Sequence, residues 1–115
     1  MGEQPTASEV QHIRTKYPNH ICVFVQHADR DASAGLPPLE KRKFLVPRDM
    51  TVGAFLFTVR KRMVLPAEKA LFLFVENSLP VGSTSMLELF KTHGREGYLT
   101  VSCASESTFG SAANI

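Results

Sequence analysis

The stretch KRKFLVPRDMTVGAFLFTVRKRM, residues 41–63, decides the fold. Its first seven residues are basic and then apolar, and they read as a strand that runs from Lys41 to Pro47. The period then changes. Thr51 can cap a helix in which Val52, Phe55, Leu56, Val59 and Met63 recur at helical spacing. Arg60, Lys61 and Arg62 crowd its last turn, where the helix dipole favours cations. A strand followed at once by a helix with so broad an apolar face calls for a sheet across which that helix can lie.

Working outward, Ile21, Val23 and Val25 alternate with Cys22, Phe24 and Gln26, so a preceding strand offers two apolar faces. The connection over residues 29–40 carries Asp, Ala, Gly and a Pro37-Pro38 pair, which suits an exposed loop and makes the two strands a hairpin. Upstream, residues 1–7 are polar, broken by Pro5, and expected to be flexible. Ser8-Glu9-Val10-Gln11 then reads as a capping box for a short helix that places Val10, Ile13 and Tyr17 on one face and ends at Pro18. Downstream, residues 71–75 read as a buried central strand and residues 77–82 as a turn. A helix over residues 85–93 is capped by Ser85 with Glu88 and stopped by Gly94, and a last strand spans residues 98–103. The order helix, β, β, α, β, α, β describes an α+β domain of the β-grasp type with a four-stranded mixed sheet.

The 115 residues suffice for one domain with a modest core, and the net charge of +2 is small. No stretch approaches the roughly 20 apolar residues that cross a bilayer, and no basic segment followed by an apolar run opens the chain. The expectation is a cytoplasmic protein with its two cysteines reduced. A Cys22–Cys103 disulfide stays open on geometry if their strands are neighbours. His12, His20, His27 and His93 show no paired metal-ligand spacing, and both cysteines lie within strands rather than at a helix N-terminus where a thiolate is favoured. Neither a metal site nor an enzyme is expected. The clusters Lys41-Arg42-Lys43 and Arg60-Lys61-Arg62 could track phosphates, but neighbouring acidic residues and the small net charge favour acidic peptides or anionic lipid over nucleic acid. Met1-Gly2-Glu3-Gln4-Pro5-Thr6 formally fits an N-myristoylation pattern, of which Glu3 and Pro5 make it a poor example.

The segment KRKFLVPRDMTVGAFLFTVRKRMVLPAEKALFLFVENSLP (residues 41–80) and ESTFG (residues 106–110) together resemble the autophagy ubiquitin-like modifiers of the GABARAP and microtubule-associated protein light chain type. The match runs from about Ile13 to Gly110, with the segments in the order and spacing of that family. The resemblance implies a ubiquitin-like domain over residues 8–105 with a shortened N-terminal helical extension, a conjugation tail over residues 106–110, and a removable peptide over residues 111–115. It implies that an autophagy cysteine protease exposes Gly110, and that activating and conjugating enzymes transfer its carboxyl group to phosphatidylethanolamine. Apart from that covalent lipid no cofactor is implied. The protein would be cytoplasmic and, once lipidated, a recruiter of cargo receptors and adaptors on the autophagosomal membrane. The chemistry suits a glycine: without a Cβ it threads narrow channels in extended form and presents an unhindered carboxyl for acyl transfer. Phe109 and Thr108 would be the grips for the enzymes.

By the same resemblance, a peptide with an aromatic residue and an aliphatic residue three positions later adds as a strand beside the second strand. Its aromatic pocket would be lined by Ile13, Cys22, Phe24, Lys43, Leu45 and Tyr98, and its aliphatic pocket by Phe44, Val46, Pro47, Met50, Phe55 and Thr58. Phe55 and Val46 are equally readable as core. Leu45 and Phe44 cannot both enter one core, since adjacent strand residues face opposite sides. Cys22 stands where the family usually has Pro, Phe24 where Ile or Leu is common, His20 where Arg is common and Thr58 where Val is common, which should reshape both pockets. The loop over residues 29–40 is longer than usual and the first N-terminal helix of the family is missing or replaced. The alternative reading is an unconjugated ubiquitin-like adaptor that only binds peptides.

Overall fold

A computed structural model of the chain describes residues 4–29 and 33–106. Among the described residues the elements follow in the order α1 (Ala7–Lys16), β1 (His20–His27), β2 (Lys43–Pro47), α2 (Val52–Met63), β3 (Phe72–Phe74), α3 (Met86–His93) and β4 (Leu99–Ala104). The strands form one mixed sheet in the order β2-β1-β4-β3. β1 and β2 are the antiparallel hairpin that the loop chemistry predicts, β4 runs parallel to β1, and β3 is antiparallel to β4. This is the ubiquitin-like β-grasp arrangement.

The apolar face of α2 explains the architecture. Val52, Phe55, Val59 and Met63 are buried, and Thr51 caps the helix by accepting from the Ala54 N–H at 3.1 Å. These side chains pack on the sheet face formed by Ile21, Val23, Val25, Phe44, Val46, Leu99, Val101 and Cys103. Phe55 meets Phe44 edge to face at 5.5 Å, the geometry that aromatic quadrupoles favour. α3 adds Met86 and Leu89 to the same core, with Ser85 accepting from the Glu88 N–H.

One expectation fails on strand order. Residues 71–75 read as a central strand, but β3 lies at the sheet edge and the central strands are β1 and β4. Leu71, Leu73 and Val75 point into the main core, while Phe74 is buried on the opposite face with Ala104. Burial on both faces imitates a central strand in the sequence, although among the described residues one neighbour pairs with it.

The other face of the sheet carries α1, whose start also differs from expectation. Thr6, not Ser8, is the cap: its hydroxyl accepts from the Glu9 N–H at 3.1 Å, and Glu9 reaches back to the Thr6 N–H at 2.9 Å. Pro5, placed by the sequence in the flexible segment 1–7, is buried. Val10 is the buried residue of α1, and it approaches Gly97 so closely that a Cβ there would run into its side chain. Gly97 also has φ +88°, which L side chains rarely adopt.

Cys22 and Cys103 are free and buried. Cys103 stands level with His27 in the parallel ladder, five residues along β1 from Cys22. At about 3.3 Å per residue that is roughly 17 Å, and the two thiols face opposite sides of the sheet. The disulfide left open by the sequence is therefore excluded by register.

Candidate functional site

Among the described residues β2 pairs with β1 alone and so leaves one edge free. The Val25 N–H donates to Arg42 and the Arg48 N–H to Asn19, which fixes the phase of the ladder. Lys43 and Leu45, opposite Phe24 and Cys22, then occupy non-hydrogen-bonded positions. In such positions the main-chain N–H and C=O groups turn away from the partner strand, so those of Lys43 and Leu45 face the free edge. Pro47 at its end has no N–H to offer.

Beside this edge lies a small cavity of ≈ 120 Å³ lined by Pro5, Glu9, Ile13, Cys22, Lys41, Lys43, Phe44 and Leu45. Antiparallel register puts Cys22, Phe24, Lys43 and Leu45 on the sheet face beneath α1, and α1 supplies Ile13 and Glu9 from above. Leu45 stays 37% exposed while its neighbour Phe44 is 5% exposed, the split that strand geometry requires. The Lys43 ammonium lies 3.1 Å from both carboxylate oxygens of Glu9 at the rim. The Thr6 N–H first, and Lys43 second, hold the Glu9 carboxyl below its ordinary value of 4.5. Lys41 lies over the Phe44 ring at 5.2 Å.

Of the six residues assigned to the aromatic pocket, Ile13, Cys22, Lys43 and Leu45 line this cavity together. Phe24 is buried one step along the same face. Tyr98 stands level with Cys22 on the side away from β2 and opens instead onto a separate cavity with Glu76, His93 and Arg95. Pro5, Glu9 and Lys41 were not singled out from the sequence as lining residues. The pairing of Glu9 with Lys43 spans 34 positions and leaves no local trace in the sequence.

The six residues assigned to the aliphatic pocket divide differently. Phe44, Val46 and Phe55 are core, at 5%, 3% and 0% exposure. Pro47 is exposed, and Met50 and Thr58 are half-buried. The Thr58 hydroxyl donates to the Ala54 carbonyl, so it is turned toward its own helix. Any apolar ligand here meets Pro47, Met50 and Thr58 over a floor of core rings.

Burial raises the Cys22 thiol and pushes Cys103 up to about 12, far from a thiolate at neutral pH. Among the described residues no cluster of His, Cys, Asp or Glu could hold a metal ion, and no helix is long and apolar enough to cross a membrane. His27 contacts the Pro37 carbonyl and His93 contacts Glu76, which also takes two hydrogen bonds from Arg95. Thr108, Phe109 and Gly110 lie outside the described residues.

Comparison with known proteins places this geometry. Residues 6–110 match the family model described as autophagy protein Atg8 ubiquitin like. The chain is 45% identical over 105 residues to autophagy-related protein 8a of Arabidopsis thaliana, covering 90% of this chain and 84% of that one. It is 43% identical over 104 residues to autophagy-related protein 8 of Mycosarcoma maydis, covering 90% and 86%. Among solved structures, Trypanosoma brucei ATG8 superposes with a TM-score of 0.80 at 30% identity, covering 90% of this chain and 88% of that one. Plasmodium falciparum Atg8, solved in complex with a Plasmodium falciparum Atg3 peptide, gives 0.78 at 36% identity, with 88% of each chain covered.

Proposed function

The chain belongs to the Atg8 family of autophagy ubiquitin-like proteins, and from that membership we propose that it is a modifier cleaved after Gly110 and conjugated to phosphatidylethanolamine. On autophagosomal membranes it then recruits cargo receptors whose aromatic-x-x-aliphatic peptides add to the free edge of β2. The observation that carries the peptide half of this reading is that edge, with the main-chain groups of Lys43 and Leu45 turned outward beside the Ile13–Cys22–Leu45 cavity. A strand laid there gains ladder hydrogen bonds for affinity and uses side-chain pockets for specificity. That the Plasmodium relative was solved in complex with an Atg3 peptide supports a peptide as a partner of this chain too.

The lipid half rests on Gly110 within the matched residues 6–110. An amide at that carboxyl attaches two acyl chains at once. At about 0.8 kcal/mol per buried CH₂, two chains make attachment durable where one leaves it marginal.

Two experiments test the two halves. Titration with an aromatic-x-x-aliphatic peptide should show binding to the parent and a loss of at least tenfold for Leu45→Glu; equal affinity would refute docking at β2. The mass of the protein from starved cells should reveal a species ending at Gly110 plus the lipid, absent from Gly110→Ala. A chain that keeps residues 111–115 in fed and starved cells would leave only the peptide-binding adaptor.

A further inference from the structure

We infer that the end of the molecule where α2 terminates is the face that rests on an anionic lipid bilayer, with Val64 and Phe57 entering its interface and Lys61 and Arg62 meeting lipid phosphates. The inference rests on the lipid attachment at Gly110 proposed above and specifies the orientation that attachment imposes.

The first observation is exposure. Val64 is 83% and Phe57 61% exposed, well above Leu45 at the peptide edge. Phe57 and Lys61 lie one turn apart on α2, with the Lys61 ammonium 5.4 Å above the Phe57 ring, and Val64 follows at the end of the same helix. Large apolar side chains between exposed cations make the profile of an interfacial helix rather than of a solvated one.

The second is backbone conformation. Val64 ends α2 in the left-handed region, φ 55° and ψ 51°. That region is unfavourable for a β-branched residue, and Gly or Asn would serve the turn without the penalty. A strained residue that also holds its apolar side chain in water has no packing reason to be valine.

The third is charge. Residues 60–75 contain four cations, Arg60, Lys61, Arg62 and Lys69, against one acid, Glu68. Arg60 is committed to the carbonyls of Pro66, Ala67 and Lys69, whereas Lys61 and Arg62 are exposed. Cations placed so suit an anionic leaflet.

The fourth is position. Phe72 pairs with Ala104, so β4 ends beside the chain that leaves α2. The Ser105 hydroxyl donates to the Ala34 carbonyl at 2.8 Å, and the Lys69 ammonium lies against neighbouring Gly35. From Ser105 to Gly110 are five residues, which span at most about 18 Å. A lipid at Gly110 therefore holds this end near the bilayer, while the start of α2, bonded to Gly82 and Thr84, lies about one helix length farther off.

The chain contains no Trp, so a single introduced Trp reports its own surroundings. The full chain carrying Gly110→Cys is coupled to a maleimide lipid in phosphatidylcholine vesicles, with or without phosphatidylserine. Reporters are Val64→Trp, Phe57→Trp and, near the start of α2, Val81→Trp. On phosphatidylserine vesicles the emission of the first two should shift to the blue and lose most of its quenching by acrylamide, and Val81→Trp should not change. Adding Lys61→Glu and Arg62→Glu should abolish both shifts. Shifts at Val81→Trp as large as at Val64→Trp, or none at either α2 reporter, would overturn the inference. Chemical coupling bypasses the cellular enzymes, so this outcome is independent of whether cells lipidate Gly110, which the mass measurement reads separately.

Discussion

Lys43 Nζ sits 3.1 Å from each carboxylate oxygen of Glu9, across the rim of the cavity beside the free edge of β2. The same carboxylate closes the capping box of α1. A ligand acid that competes for Lys43 must displace Glu9, and the pair thus screens peptides by charge. We expect Glu9→Gln to bind a peptide with an acidic residue before its aromatic a few-fold more tightly than the parent does, with a steeper loss on adding salt. Equal affinities at low salt would show that Lys43 does not meet the peptide.

Glu9 also sets a pH dependence, together with Glu76, whose carboxyl is held below 4.5 by His93 and then Arg95. A carboxyl with a lowered folded-state value binds its proton more readily when unfolded. Its stabilisation is therefore complete above about 4.5 and disappears as pH falls through the lowered value. Thermal melts of the parent and of Glu9→Gln/Glu76→Gln should differ at pH 6 and converge as pH falls below 4.5. A constant gap down to pH 3 would contradict this assignment.

Gly97 and Gly82 separate close packing from open space. Gly97→Ala combines φ +88° with a collision against Val10 and should cost about 1–3 kcal/mol in urea denaturation. Since Val10 anchors α1, peptide affinity should fall as well. A Cβ at Gly82 meets nothing within 4 Å, so Gly82→Ala should stay within about 0.5 kcal/mol of the parent.

How far the sequence carried these conclusions depends on range. Thr51 and Ser85 were legible as caps because each satisfies an N–H three residues on, and the α2 core face followed from its spacing. The start of α1 was misplaced because Ser8-to-Gln11 also has capping-box spacing, whereas the box that forms is Thr6-to-Glu9, and its ion pair to Lys43 is non-local. Strand order was not legible, since the parallel pairing of β1 with β4 joins segments about 76 residues apart and leaves no local mark. The same non-locality separated Tyr98 from the cavity that holds Ile13 and Leu45.

The two thiols should behave alike despite their distant positions. Both are buried and pushed above the ordinary cysteine value, Cys103 to about 12. A disulfide-exchange reagent at pH 8 should modify the native protein far more slowly than the urea-unfolded one, which should yield two thiols promptly. Rapid native reaction of Cys103 would mean that β4 opens locally.

Phe55, fully buried and edge-on to Phe44, joins α2 to β2. Phe55→Ala should cost about 3–5 kcal/mol, and Phe55→Leu much less, because the alanine leaves a cavity that the sheet cannot close. Chemical denaturation of both variants measures this. Equal losses would point to the ring contact itself as the main contribution.

Val64 tests whether stability and surface chemistry oppose each other. Its left-handed backbone at φ 55° disfavours valine, and at 83% exposure its side chain has little burial to lose. Glycine relieves the steric conflict but gains freedom in the unfolded chain, so the two effects partly cancel. Val64→Gly should raise stability by about 0.5–1 kcal/mol, and Val64→Asn by a similar or smaller amount. Both should also weaken contact with anionic vesicles in the lipid-coupled chain. A less stable glycine variant would show that valine contributes packing at the end of α2, and the reason for retaining it would then lie within the fold. A more stable variant with weaker vesicle contact would place that reason at the lipid surface, since nothing else in the described structure rewards a strained, exposed valine.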